Sequence, residues 1–331
     1  MGCYHPKIAW TWKAAKKENG AKPIFFGTPP ATAKKDKIEE IMIPCGKCIG
    51  CRLEYSRDWA TRIQKEATLY NDNYFITLTY DDQHLPLQEK LNQDTGELIT
   101  APTLRPKDLQ DFLKRLRRHW EYNYKHQNIR FFACGEYGGK TQRPHYHLCL
   151  MNLPIKAENL KKHSNNANGD VLYECEEIQK IWGQGFILAG ALTWQSAAYV
   201  ARYMLKKQKG GYEKWYYDSE AREPEFTRMS MKPGIGKPWY DQHKEKIYQT
   251  DEIFVPKKGG TMKVKPPRYF DKMYSEENPE KMEAIKKARS EGAQKSIATK
   301  ETQTSEYIWQ ILEKEEHLKE EQTAKLIRML E

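Results

Sequence analysis

Apolar residues recur along this chain at two spacings, and each marks a kind of element. Residues 74–80, Tyr-Phe-Ile-Thr-Leu-Thr-Tyr, are β-branched and aromatic and predict a strand, ended by Asp81, Asp82 and Pro86. Residues 130–136 and 145–150 read as two more strands, with Gly138, Gly139 and Pro144 marking a turn between them. Helical spacing of Leu53, Trp59, Ile63 and Ala67 predicts a helix over residues 51–70, with Arg52, Arg57, Arg62 and Lys65 around it. Leu109, Phe112, Leu113, Leu116 and Trp120 form the apolar stripe of a second helix over residues 107–124, flanked by Lys114, Arg115, Arg117 and Arg118. A short helix over residues 176–182 leads through Gly183 and Gly185 to a strand over 186–191, and Ser196 is placed to cap a helix carrying residues 199–207.

Between these elements the pattern weakens. Residues 87–104 suggest a polar hairpin around Asp94, Thr95 and Gly96, and residues 152–170 read as an Asn- and Lys-rich loop. Residues 229–240 form a basic stretch with Trp239 and Tyr240, suited either to stacking on unpaired bases or to packing on the core. Residues 253–269 predict a basic hairpin with its own Gly259-Gly260 turn. From residue 275 onward the chain is charged and helix-forming, with Tyr307, Ile311, Leu312, Leu318, Leu326 and Leu330 as an intermittent apolar face.

Composition narrows the function classes. The chain has 331 residues, 30% of them charged and 12% aromatic, which describes a folded protein of one or two domains rather than a disordered one. A net charge of +10 fits a nucleic-acid partner. No apolar run approaches the length of a membrane span, and Met1-Gly2-Cys3 carries neither a secretory leader nor a myristoylation pattern, because Pro6 stands where Ser or Thr is required. Seven cysteines, an odd number in clustered spacing, point to a reducing cytoplasm.

Three constellations carry chemistry. His145 and His147, two apart on a strand, point to one face and make half of a metal site. If residues 130–136 and 145–150 pair as a hairpin, Glu136 lies opposite His145 and Cys134 opposite His147. Glu136 then completes a nitrogen–oxygen triad with open positions for polarising a phosphate, and Cys134 is the alternative neighbour on that face. Cys45, Cys48 and Cys51 form a Cys-X2-Cys-X2-Cys knuckle, with Cys3 as the fourth ligand and His5 in reserve. A structural zinc fits, and an iron–sulfur ligand set stays open. Tyr199 and Tyr203, four apart on a helix, present two phenols together, with Lys206 near the same face. A phenol needs a neighbouring cation or metal to act as a nucleophile near neutral pH.

At these residues the sequence resembles the HUH endonucleases, named for a His-hydrophobic-His motif. Within them it resembles the rolling-circle replication initiators of microviruses, the gokushovirus-type replication-associated proteins. The matching features are the cysteine-rich start, Phe75-Ile-Thr-Leu-Thr, Gly135-Glu-Tyr-Gly, Arg143-Pro-His-Tyr-His, and Tyr199-Val-Ala-Arg-Tyr with Lys206, and they spread over residues 1–275. Tyr146 departs from the bulky apolar residue usual in the middle of the His motif.

The resemblance implies an α+β fold: a central antiparallel sheet with helices packed on its faces, after an N-terminal Cys-rich metal knuckle (residues 1–70) and an endonuclease domain over residues 71–275. A charged helical extension then covers residues 276–331. It implies Mg2+ or Mn2+ at His145, His147 and Glu136, with Tyr199 and Tyr203 as alternating nucleophiles and Lys206 stabilising charge or donating a proton. The implied partners are single-stranded and origin DNA and the helicase and polymerase of a bacterial host, in whose cytoplasm it would act. A transposase or relaxase would share this chemistry. A non-catalytic, zinc-stabilised single-stranded DNA-binding protein would not need the tyrosines.

Overall fold

Every position of the run Arg130–Tyr137 is buried, and so is every position of Pro144–Met151 except His145, which is half-buried. Strands covered on both faces belong inside a sheet flanked by helices. The computed structural model describes residues 2–13, 22–29, 37–92, 95–139, 141–166, 169–202, 213–257, 259–303 and 306–328. The chain divides into two units, Met1–Glu54 with Lys287–Arg328, and Tyr55–Lys286.

In the first unit, β1 (Lys7–Trp12), β2 (Ile24–Phe26) and β3 (Ile38–Ile43) form an antiparallel sheet in the order β2-β1-β3. Helix α1 (Ile49–Ala67) starts here and holds Cys51 in its first turn.

The second unit is built on β4 (Asn73–Thr79), β7 (Arg130–Tyr137) and β8 (Pro144–Met151). Between β4 and β7 come the hairpin β5 (Leu87–Leu91) and β6 (Leu98–Pro102), then helix α2 (Pro106–Tyr124). After β8 follow β9 (Lys161–Asn165), β10 (Val171–Glu174), α3 (Glu176–Trp182), β11 (Ile187–Ala191), α4 (Trp194–Arg202), α5 (Glu213–Ser219) and β12 (Phe226–Met229). Among the described residues the strands pair antiparallel in the order β12-β7-β8-β4-β11-β10-β9. The expected α+β architecture with a large antiparallel sheet is therefore present. The run 152–170, expected as a loop, instead contains the edge strand β9, paired with β10. The basic stretch 229–240 starts at the end of β12 and finishes inside α6 (Lys237–Thr250).

The sheet divides two apolar layers. On one face, Leu109, Phe112, Leu113, Leu116 and Trp120 of α2 pack with Ile178 and Trp182 of α3 onto Ile76, Leu78, Phe131, Tyr146, Leu148 and Leu150. These five α2 residues are the stripe read from the helical spacing, and each such side chain contributes roughly 1.5–3 kcal/mol when fully buried. On the other face, Trp59, Ala60 and Ile63 of α1 and Ala197, Ala198, Val200 and Ala201 of α4 cover Phe132, Cys134, Cys149 and Met151. A third cluster joins α6, the hairpin β13 (Ile253–Lys257) and β14 (Gly260–Val264), and α7 (Arg268–Glu277) through Tyr240, Ile247, Val255, Phe270 and Tyr274. Helices α8 (Pro279–Gln303) and α9 (Ile308–Arg328) carry the charged C-terminal run. No described helix is long and apolar enough to cross a membrane.

Tyr146 shows how the departure in the His motif is accommodated. Its ring is fully buried on the α2 face, away from the two histidines. The hydroxyl donates to the Arg105 carbonyl at 2.9 Å, accepts from the Arg105 N–H at 3.0 Å, and lies 2.7 Å from the Tyr80 hydroxyl, which donates to Asp108 at 2.8 Å. A buried phenol so fully bonded costs little, whereas removing it strands its partners. Tyr146→Phe should therefore lower stability by about 1–3 kcal/mol in urea unfolding and leave divalent-ion affinity unchanged. A loss of ion affinity without a loss of stability would contradict this placement.

Candidate metal sites

The pairing of β7 with β8 sets Glu136 opposite His145 and Cys134 opposite His147, the register expected from the turn between the strands. On its other side β8 pairs with β4, which puts Thr79 opposite His145 and Thr77 opposite His147. Alternation along three neighbouring strands thus gathers Glu136, His145, His147 and Thr77 on the face covered by α1 and α4.

Glu136 is 2% exposed, and its Oε1 accepts from His145 Nε2 at 2.6 Å and from His147 Nε2 at 3.0 Å. Burial pushes its carboxyl pKa up, but the two imidazole hydrogen bonds and their charge outweigh that and hold it below the ordinary glutamate range. The other oxygen, Oε2, is buried and has no hydrogen-bond partner. An orphaned carboxylate oxygen in a dry site is expensive, and a bound cation would satisfy it.

The far side of each ring is also held. His145 Nδ1 donates to the Arg143 carbonyl at 3.2 Å, and His147 Nδ1 lies 2.9 Å from Thr77 Oγ1. With Nδ1 committed in this way, Nε2 is the nitrogen that can ligate once its proton is displaced. Phe75 stacks against His147 with ring centroids 5.4 Å apart. The ligand atoms of Glu136, His145 and His147 all lie within 4.8 Å of one another, so the three can hold one ion. Cys134 shares this face but belongs to the apolar layer with Trp59 and Phe132, outside the ligand group. Asp81, just after β4, caps its turn by accepting from the His84 N–H at 2.9 Å.

Helix α4 lies over this face. The Tyr199 ring meets the His147 ring with centroids 5.3 Å apart and the Phe75 ring at 6.0 Å. Ser56 of α1 donates to the Ala198 carbonyl at 3.2 Å and so ties α1 to α4. The helix starts one turn earlier than a Ser196 cap would place it. Thr193 is the N-cap: its Oγ1 accepts from the Ser196 N–H at 3.1 Å, while Ser196 Oγ accepts from the Thr193 N–H at 2.8 Å. This is a reciprocal capping box with serine in the place of glutamate. Tyr203 and Lys206 lie outside the described residues.

In the first unit the sulfurs of Cys3, Cys45, Cys48 and Cys51 form a second group, all within 4.8 Å of one another. Cys48 Sγ is 3.9 Å from Cys3 Sγ, and Cys45 Sγ is 4.0 Å from Cys51 Sγ. Four thiolates bound tetrahedrally at about 2.3 Å from one ion would lie about 3.8 Å apart. Backbone N–H groups converge on the sulfurs. Cys45 Sγ accepts from Lys47 at 3.4 Å and from Cys48 at 3.3 Å, and Cys48 Sγ accepts from Cys51 and Tyr4, each at 3.4 Å. Gly46, at φ +73°, supplies the left-handed step that this turn requires. Burial pushes the Cys45 thiol up, but those N–H bonds prevail and hold it at about 7, whereas burial leaves the Cys3 and Cys51 thiols raised. His5 pairs with Glu316 and is not in the group.

Against known proteins, residues 73–208 match the family model of replication-associated protein ORF2/G2P. The replication-associated protein ORF2 of Spiroplasma virus 4 is 32% identical over 300 residues, covering 90% of this chain and 88% of that protein. The chain belongs to the replication-associated proteins of microvirus-type phages. Two further relatives agree. The replication-associated protein VP4 of Bdellovibrio phage phiMH2K is 33% identical over 248 residues, covering 74% of this chain and 71% of that protein. The replication-associated protein ORF4 of Chlamydia phage 1 is 28% identical over 215 residues, covering 64% of this chain and 49% of that protein. No solved structure matches the chain. The matched family segment begins at β4 and includes Glu136, His145, His147 and Tyr199.

Thr77 and the Arg143 carbonyl, which orient the two imidazoles, are not evident from motif spacing. Thr77 could be found only by pairing β4 with β8 in register. If Glu136 is a ligand, Glu136→Gln should weaken Mn2+ binding by at least about tenfold, or about 1.4 kcal/mol, in calorimetric titration. Binding equal to that of the wild type would remove Glu136 from the ligand set.

Proposed function

We propose that this chain is a replication initiator that nicks DNA at an origin through a tyrosine of α4 or of the residues just after it, and later rejoins the ends. The observation that carries the reading is the Tyr199 ring seated against His147, itself joined to His145 by the shared Glu136 carboxylate. The interior position of β8, third of the seven described strands in the sheet and covered by helices on both faces, supports an HUH endonuclease fold.

Mg2+ or Mn2+ held by His145, His147 and Glu136 would supply Lewis-acid polarisation of the scissile phosphate. The chain's own residues do the rest. Glu136 balances charge in a buried site, and Thr77 and the Arg143 carbonyl fix the imidazole rings so that the ligand nitrogens need no reorganisation. Helix α4, tied to α1 and capped at Thr193, holds the phenol over the same face. The tyrosine oxygen attacks phosphorus, a phosphotyrosyl bond forms and the bond to the 3′-oxygen breaks. The phenolic proton leaves and the 3′-oxygen departs as a hydroxyl that can prime synthesis. Since one phosphodiester replaces another, no nucleotide cofactor is required. With Tyr199 and Tyr203 both available, the second can cut the regenerated origin while the first still holds the old 5′ end. The freed 3′-hydroxyl then attacks the first link and closes a single-stranded circle. Lys206 is assigned to charge stabilisation or proton donation in these steps. Host helicase and polymerase, in the cytoplasm of a bacterium, would extend the primer.

At the Cys3, Cys45, Cys48 and Cys51 group we infer one structural zinc. The sulfur separations suit a single tetrahedral ion, whereas a multi-iron cluster sets its thiolates on different irons and so further apart. Metal analysis of the purified chain should find about one zinc per chain, lost in Cys48→Ser; iron with a visible charge-transfer spectrum would overturn the inference.

The test of the nicking reaction is incubation of single-stranded genomic DNA with the chain and Mn2+, followed by denaturing gel and mass spectrometry. A covalent adduct on Tyr199 or Tyr203, abolished by the paired Tyr199→Phe/Tyr203→Phe change and by His147→Ala, is expected. DNA binding without an adduct on any origin-containing strand would leave a single-stranded DNA-binding protein instead.

A further inference from the structure

Helix α2 uses its apolar stripe on the sheet, and its exposed side borders a second feature. Between α2, the entrance to β7, the edge strand β12 and the segment after it runs a groove of about 1040 Å3. The groove follows the β12 edge of the sheet and opens mainly on the α2 side: Phe131, in its lining, packs in the α2 layer, Met229 reaches it from the other layer, and Glu136, His145 and His147 are not in its lining.

The charge of the lining is one-sided. Lys107, Lys114 and Arg117 reach it from α2, Arg228 from β12 and Lys232 from the segment beyond, all of them exposed. Among the described lining residues the acidic side chain is Glu121, which is occupied in accepting from Gln127 at 2.8 Å. Asp111, just outside, offsets Lys107 at 2.5 Å and stands 4.0 Å from Lys114.

Two of the guanidinium groups are held in place by aromatic rings. Arg117 lies 5.2 Å from the Phe131 ring centroid and donates to the Ile129 carbonyl at 3.2 Å, and Arg228 lies 5.1 Å from the Phe226 ring. A guanidinium laid on a ring loses less freedom when it meets an anion, and its remaining N–H donors suit phosphate oxygens. Met231, 72% exposed at the lip, offers an apolar surface for an unstacked base. Beyond β12 no further strand pairs in the sheet among the described residues, so the wall of the groove on that side is an open strand edge.

We infer that this groove is a second nucleic-acid site, which grips the sugar-phosphate backbone of single-stranded DNA away from the metal centre. The inference rests on the reading of the chain as a DNA-nicking initiator, and it adds where a strand is held while its scissile phosphate lies at that centre. A strand bound at two places cannot diffuse off when either is released, which is what an enzyme that must keep hold of both cut ends requires.

The test is binding of a fluorescein-labelled oligothymidine to the full chain by anisotropy across a salt series. It compares the wild type, Lys114→Ala/Arg228→Ala/Lys232→Ala, and a control, Lys281→Ala/Lys286→Ala/Lys287→Ala, which removes as many exposed cations from α8. Counterion release predicts that the groove variant loses about 2 from the magnitude of the slope of log affinity against log salt, and binds at least about tenfold more weakly at physiological salt. The control variant should keep the wild-type slope, and Mn2+ affinity should be unchanged in both, which verifies the fold. A groove variant with wild-type affinity and slope, or an equal loss in the control, would overturn the assignment. The tyrosine adduct is scored separately. Its absence with the slope change present would sink the nicking reading and leave the groove standing. Its presence without a slope change would do the reverse.

Discussion

A single buried carboxylate shared by two imidazoles constrains the larger unit. Glu136 is almost wholly shielded from water, and a negative charge in such a place is tolerable only with close positive or donor partners. Those partners exist because β7 and β8 pair in one register, and a slip by one residue would turn Glu136 away from both histidines into the α2 layer. The apolar layers above and below hold that register. Phe131, Ala133, Tyr146 and Leu148 can be buried under α2 only while Glu136, His145 and His147 point the other way. Stability of the sheet and composition of the site are therefore consequences of the same alternation.

The two groups of this chain that could hold a metal ion are organised by different means. In the larger unit the ligands come from neighbouring strands, and side chains and carbonyls of the same sheet, Thr77 and Arg143, orient them. In the smaller unit the ligands come from a tight turn, and backbone N–H groups turn toward sulfur and lower the cost of holding charge there. With an ion bound, the first arrangement would leave coordination positions open for a reacting group, and the second would close around it with four sulfurs. That contrast supports assigning chemistry to one and stability to the other.

Much of this was legible in the sequence, where periodicity was strong or residue types were unusual. The α2 stripe follows from helical spacing, the hairpin register from the placement of the turn, and three of the four grouped cysteines from Cys-X2-Cys spacing, with Cys3 preferred to His5 as the fourth. Other elements were hidden for physical reasons. Strand β9, Lys161–Asn165, is polar at every position because an edge strand in solvent gains nothing from apolar side chains, and lysine there discourages pairing with other chains. Strands β1 to β3 mix exposed Ile8 and Met42 with buried Ala9 and Thr11, so their alternation does not follow hydrophobicity. Strand β12 is four residues long, too short for a period to show. Thr193 rather than Ser196 caps α4 because either hydroxyl could do so, and only the backbone direction decides between them. The partner of Tyr199 in the paired-tyrosine motif, Tyr203, lies with Lys206 outside the described residues, so their side of the site rests on the family resemblance.

The proposed chemistry requires His145, His147 and Glu136 to hold one divalent ion together. Pulsed electron paramagnetic resonance of Mn2+ bound to the full chain examines that directly, because nitrogen couplings report the imidazoles in the coordination sphere. Couplings from both imidazoles in the wild type are expected, with one lost in His145→Ala and the other in His147→Ala. Mn2+ bound with no imidazole coupling, or couplings unchanged when either histidine is removed, would contradict the central claim.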